Sequence, residues 1–247
     1  GDLLQGDFLD SYRNLTVKHL FGLGWTIQQQ QQQQKCFSIR AVLKVDDDIF
    51  VNYYRLAALL KQSNFLSNSS SSSTPSLLCY LHRRMPVNRD LASEFSSKWS
   101  VTREEFSEAY YPPFCSGWAY LTTPETIIRW LCAVPKTRFF WIDDVYVTGM
   151  LRKNSCPGSG QERGVQPINH LYSVDPGQVA SWLQEKEDDI ENNKKPQTLK
   201  RSTTWFYLFS NTDSAAMLRA ALQRNRQLHR QLSSAKRQLR MFKTAHF

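Results

Sequence analysis

The chain has no apolar run near the roughly 20 residues that a membrane-spanning helix needs, and it has no Cys-x-x-Cys pair. The first absence leaves no candidate for a bilayer-crossing helix within these 247 residues. The second removes the usual basis for a zinc or thioredoxin-type site. The five cysteines, Cys36, Cys79, Cys115, Cys132 and Cys156, are then two disulfides plus one thiol, or simply buried thiols. There is no secretory signal pattern and no initiator Met; the chain opens at Gly1 as though already inside a fold, which reads as a fragment. Acidic residues are missing from Ser214 to Phe247, a stretch holding eight Lys and Arg. The rest carries 23 basic against 22 acidic residues, so the net charge of +9 belongs almost wholly to the tail.

What is present is an ordinary globular composition, 41% hydrophobic, which argues against disorder throughout. The length suits one sizeable core or two small ones. Two low-complexity stretches interrupt the pattern and are expected as loops: the glutamine run 28–34 and the serine-rich 64–76. Asp7 to Trp25 predicts a helix, with Phe8, Tyr12, Leu15, His19 and Leu23 on one face. Asn14 and Asn68 open glycosylation sequons, the second in a more exposed setting. Strands are expected at Cys36–Val45, Leu77–His82, Phe139–Trp141 and Ile168–Tyr172, with an edge strand at Thr203–Phe209. Helices are expected at Tyr53–Lys61, Val145–Lys153, Asp175–Lys186 and Thr123–Ala133, the last with Thr123 as N-cap and Pro124 in its first position. The segment Tyr110–Tyr120, rich in aromatics around Pro112-Pro113 and Gly117, reads either as a pocket lining or as an aromatic-packed turn. In the tail, Leu218, Asn225, Leu232 and Leu239 recur every seven residues, with Ala221, Leu228, Ala235 and Phe242 beside them. That seam predicts a basic helix that pairs with a partner or lies on the body.

The chemistry concentrates at two acidic clusters. Asp46-Asp47-Asp48 ends an apolar run, and Asp143-Asp144 follows another 95 residues later. Adjacent carboxylates repel, and burying them bare is costly, so a hard cation with oxygen ligands is the favourable companion. One cluster can hold a divalent metal while the other supplies a general base. His170 is a candidate third ligand as neutral imidazole.

Several motifs then carry a resemblance. Gly6–Lys18, Lys44-Val45-Asp46-Asp47-Asp48-Ile49-Phe50-Val51-Asn52, Tyr111-Pro112-Pro113-Phe114-Cys115-Ser116-Gly117 and Asp143-Asp144-Val145-Tyr146-Val147 stand in order. Together they resemble signatures of the β1,3-glycosyltransferases, the galactosyl-, N-acetylglucosaminyl- and Fringe-type enzymes, over about Gly1 to Trp182. The resemblance implies an α/β fold, a GT-A-like mixed sheet flanked by helices, here followed by the basic C-terminal helix. It implies a transferase domain over 1–212 and a helical tail over 213–247. The implied reaction moves galactose or N-acetylglucosamine from a UDP-sugar to a glycan hydroxyl in β1,3 linkage, with inversion. Asp144 would be the catalytic base, with Asp143 the alternative. Asp46, Asp48 and His170 would hold Mn²⁺ or Mg²⁺. Lys44, Asp46 and Asp47 would contact the nucleotide sugar, and Tyr111, Gly117 and Trp118 the acceptor. Nucleic acid is not an expected partner. The family's opening strand and membrane anchor are not in this sequence, so a truncated Golgi-lumenal member is expected, able to oligomerise through its tail. The rival expectation is a catalytically inactive glycan-binding or scaffold relative.

Overall fold

The computed structural model describes residues 3–32, 39–46, 49–51, 76–91, 97–155, 164–173 and 206–208, together with the single positions 56, 60 and 65. Most of the serine-rich stretch, the Tyr53–Lys61 helix apart from two positions, the Asp175–Lys186 helix, Asn68 and the basic tail lie outside the described residues. The chain divides into two compact units: Gly1–Asp46 with Ser63–Asn169, and Asp47–Gln62 with His170–Phe247.

The first unit is α/β. A short 3₁₀ turn at Tyr12–Asn14 leads into α1, Leu15–Gln32. Helix α1 buries Thr16, His19, Leu23 and Ile27, spaced three, four and four residues apart, as one helical face requires. It starts later and ends later than its sequence pattern predicts. Gly22 and Gly24 do not end it: a Cβ at either would meet nothing, so neither marks a tight contact. Glutamine is a good helix former, so residues 28–32 continue the helix rather than loop out. Strand β1 (Val42–Val45) ends just before the aspartate triplet in sequence, and β2 (Ile49–Val51), which belongs to the second unit, follows it. Strand β3 (Leu77–His82) matches its predicted range, and the continuous apolar run explains its burial.

The Tyr110–Tyr120 region is neither a turn nor a pocket loop throughout. It becomes the longest strand, β4, Phe114–Thr122. The prolines stop just short of it, where they cost no ladder hydrogen bond. Strand β4 is central: the sheet order is β1-β4-β3-β5, with β5 at Val165–Pro167. The β1/β4 and β3/β4 pairs are antiparallel and β3/β5 is parallel, so the sheet is mixed. Along β3/β4 the register jumps: Cys79 faces Tyr120, yet Leu81 faces Cys115. Ser116 to Ala119 therefore face the single residue Tyr80, a wide excursion of β4. A disulfide between Cys79 and Cys115 ties the two strands across it, while Cys132 is free and exposed.

Helix α2, Pro124–Ala133, starts as predicted; the Thr123 hydroxyl accepts from the Thr126 N–H. It buries Ile127, Trp130 and Ala133, and Trp130 meets Tyr120 edge-on. Phe139–Trp141 is not a strand. The Phe140 carbonyl accepts from the Thr16 hydroxyl at 2.8 Å instead of from a neighbouring strand, which ties this segment to α1. The next predicted helix is a π-helix over Val145–Leu151 that passes into the short α3, Arg152–Ser155. Gly149 lets it approach the sheet, since a Cβ there would lie 3.1 Å from Cβ of Phe114. His170 sits on a 3₁₀ turn, Asn169–Leu171, rather than on a strand. The Asn169 side chain exchanges two hydrogen bonds with the Leu81 backbone, at 2.8 and 3.1 Å, so it mimics the next strand pair and frees the main chain to turn.

The second unit holds a three-stranded sheet, β2-β7-β6, with β6 at Tyr172–Ser173 and β7 at Phe206–Leu208. Strand β7 was expected at an edge but lies in the middle, antiparallel to β2 and parallel to β6. Its two neighbours come from distant parts of the sequence, which local pattern cannot show.

Candidate functional site

The β4 excursion aims two main-chain groups at side chains from other elements and a third at a backbone N–H. The Gly117 N–H donates to Asp144 Oδ2 at 3.2 Å. The Gly117 carbonyl accepts from the Lys44 ammonium, which also binds Asp46 Oδ1. The Trp118 carbonyl accepts from the Asp46 N–H at 2.9 Å. Lys44 and Asp46 thus anchor the end of β1 to the middle of β4, and Asp144 closes the other side of the same glycine.

Asp144 stands at the start of the π-helix, where its Oδ1 accepts from the Val145 N–H at 2.7 Å. Its own carbonyl accepts from the Thr148 hydroxyl at 2.6 Å, and that hydroxyl in turn accepts from the Cys115 N–H. The carboxyl is pushed up to about 7, first by burial and then by the charge of Asp143, against the two backbone N–H bonds and Lys44. A carboxyl in that range can take a proton near neutrality and give it up again.

Asp143 behaves in the opposite way. Burial alone would raise it, but the hydrogen bond and charge of His19 outweigh burial, with help from Lys44 and the Asp144 backbone. It is held below the ordinary carboxylate range. His19 Nδ1 lies 2.8 Å from Asp143 Oδ2, and Nε2 lies 2.6 Å from the Tyr120 hydroxyl. Two adjacent carboxyls pushed apart in this way take different roles, one ionised and one proton-accepting. The sequence placed His19 only on the buried face of a helix. Nothing in its spacing announces a partner 124 residues away.

The structure therefore brings together Lys44, Asp46, Gly117, Trp118, Asp143 and Asp144 from the predicted set. Trp118 is half-buried and meets Tyr80 edge-on, with ring centroids 5.5 Å apart. Tyr111 lies in the aromatic core, between Phe106, Phe114 and Phe140. Its hydroxyl finds no partner among the described residues, and burial pushes it up to about 12. Asp47 and Asp48 lie outside the described residues. His170 is exposed and belongs to the second unit. Among the described residues no three His, Cys, Asp or Glu side chains form a group able to hold a metal.

Aromatic and basic side chains pair near the start of α1. The Arg13 guanidinium lies over the Trp141 ring, 4.5 Å from its centroid, and Lys98 covers Tyr12. The Tyr12 phenol is raised first by burial, with the charges of Asp144, Asp143 and Asp46 adding to it.

The family model described as galactosyltransferase matches residues 1–155. Beta-1,3-galactosyltransferase 1 of Mus musculus is 34% identical over 152 residues, which is 62% of this chain and 42% of that protein. The Homo sapiens protein of the same name matches to the same extent. Beta-1,3-galactosyltransferase 5 of Pan paniscus is 30% identical over 147 residues, 60% of this chain and 43% of that protein. The match thus spans less than half the length of these relatives.

Proposed function

Since the chain belongs to the galactosyltransferase family, we propose that it transfers galactose from UDP-galactose to a glycan hydroxyl in β1,3 linkage, with Asp144 as the base. The observation that carries this reading is the Asp144 carboxyl, oriented by two backbone N–H groups and pushed up to about 7. As the acceptor hydroxyl attacks C1 of the sugar, its proton passes to Asp144. The new C1–O bond forms on the face opposite UDP, the old C1–O bond breaks, and UDP leaves with the electron pair. The configuration at C1 inverts. Preorganised main-chain donors cost no reorganisation at the moment of reaction, and Gly117 and Val145 supply them to the base.

The oxygen donors of Asp46 and Asp48 have the chemistry that Mn²⁺ or Mg²⁺ prefers. A cation held there would offset the diphosphate charge. His170 is the further ligand in this reading. Lys44 and Asp47 would face the nucleotide, and Trp118 the acceptor. Tyr111 would shape the acceptor side through packing, given its place in the core. The fold is read as GT-A-like and the setting as the Golgi lumen. The Cys79–Cys115 disulfide supports an oxidising compartment.

The test is UDP release from UDP-galactose with Mn²⁺ and a panel of β-linked glycan acceptors. Turnover by the chain, lost in Asp144→Asn, is expected. Equal turnover by the two proteins, or none by either, would overturn the reading.

A further inference from the structure

Outside the groups that the proposed reaction uses, one buried cluster engages both nitrogens of an imidazole. His19 on α1 contacts Asp143 through Nδ1 and the Tyr120 hydroxyl through Nε2, at 2.8 and 2.6 Å. We propose that His19 is a positioning residue: it holds Asp143 as an oriented carboxylate beside Asp144, while Tyr120 anchors the other ring nitrogen. The inference rests on the reading of Asp144 as the base.

An ionised Asp143 is acceptor-only, so Nδ1 must carry a proton. Tyr120 can meet Nε2 in either protonation state: its O–H donates to a neutral ring, and its oxygen accepts from an imidazolium. Tyr120 is suited to this, because burial first, and then the charges of Asp143 and Asp46, raise it well above the ordinary phenol range. It stays a phenol and keeps its proton. Each member of the chain therefore has a partner, which a buried polar network needs if it is to specify one geometry.

The cluster is also held rigidly. The Thr16 hydroxyl, on the same buried face of α1, binds the Phe140 carbonyl at 2.8 Å, which fixes the distance between α1 and the segment carrying Asp143. Tyr120 stands in β4 opposite Cys79 and Lys44 in the sheet register, and Trp130 of α2 packs on its ring. The charged groups that act on the cluster are few: Asp143 directly, Lys44 through Asp143, and Asp144 and Asp46 beyond them.

The functional consequence follows from adjacency. Asp143 raises Asp144 through its charge. Without His19, burial would favour a protonated Asp143, and Asp144 would lose the neighbour that keeps it basic. His19 thus acts on the base at one remove, through the side chain that it orients.

The test is carboxyl ¹³C NMR of the 247-residue chain across pH, for wild type, His19→Leu, His19→Asn and Tyr120→Phe. The expected result in His19→Leu is an upward shift for Asp143 and a downward shift for Asp144, toward the ordinary carboxylate range. His19→Asn keeps a donor near the Nδ1 position and should restore Asp143. Tyr120→Phe, which removes only the hydroxyl, should move both carboxyls in the same sense as His19→Leu but less. Carboxyls that titrate alike in wild type and Tyr120→Phe, with the backbone spectrum intact, would overturn the proposal even if His19→Leu failed to fold. In parallel, UDP-galactose turnover by His19→Leu should fall about 10- to 100-fold, with its acid limb displaced downward and Asn partly rescuing it. If wild type shows no turnover, the transferase reading fails alone, and the NMR titration still decides the role of His19.

Discussion

Asp144→Asn should make the protein more stable at alkaline pH and less stable in acid. The wild-type carboxyl goes from an ordinary value of 3.8 in the unfolded chain to about 7 in the fold. Below pH 4 it is protonated in both states and contributes nothing to the pH dependence. As pH rises, the unfolded chain releases its proton while the folded chain keeps it, so folding stability declines until pH passes about 7. The difference is roughly three pH units, worth about 4 kcal/mol at pH 8. Asparagine carries no such cost. Its single carbonyl oxygen, however, can accept only one of the two backbone N–H bonds, from Gly117 or Val145, that the carboxylate accepts. Losing one costs about 1 kcal/mol. The variant should therefore gain about 3 kcal/mol at pH 8 and lose about 1 kcal/mol at about pH 3, with equality near pH 4.5. Urea unfolding in metal-free buffer at those three pH values measures it. A variant no more stable than wild type at pH 8 would refute the claim that Asp144 is held up by burial and by Asp143. The same substitution should abolish transfer, since an amide cannot take the proton.

Two further perturbations probe what holds the site. Replacing Cys79 and Cys115 by alanine opens a loop of 36 residues and should lower unfolding free energy by about 2–4 kcal/mol, read by urea melts under non-reducing conditions. Thr16→Val removes the buried hydroxyl that satisfies the Phe140 carbonyl; it should cost about 1–3 kcal/mol and expose the α1 amides to faster hydrogen exchange.

Local signals were legible wherever one stretch of sequence decided its own structure. Thr123-Pro124 starts α2, because a capping hydroxyl and a preset φ act on the first turn alone. Leu77–His82 is apolar and short, which suits a buried strand. Both acidic clusters were visible as carboxylates ending apolar runs, and the structure brings Asp46 and Asp144 to opposite sides of one glycine. What failed was decided at a distance. Phe139–Trp141 has strand composition, but the Thr16 hydroxyl takes its carbonyl. Ile168–Tyr172 would have paired onward, but the Asn169 side chain does the pairing itself. Pro112, Pro113 and Gly117 suggested a pocket lining or a turn, whereas they mark the entrance and the bulge of the central strand. His19 carried no signal beyond its burial, because its role lies in two contacts that sequence separation hides.

The β4 excursion also bears on how the site can change. Its contributions to Asp144, Lys44 and Asp46 come from peptide groups, which every residue type except proline supplies in full. The half-buried side chain at Trp118 can therefore be exchanged while the proton-accepting carboxyl keeps its setting. In the proposed reaction, recognition and chemistry would share a strand but draw on different atoms of it, so a library varied at Trp118 should shift acceptor preference without rebuilding the base.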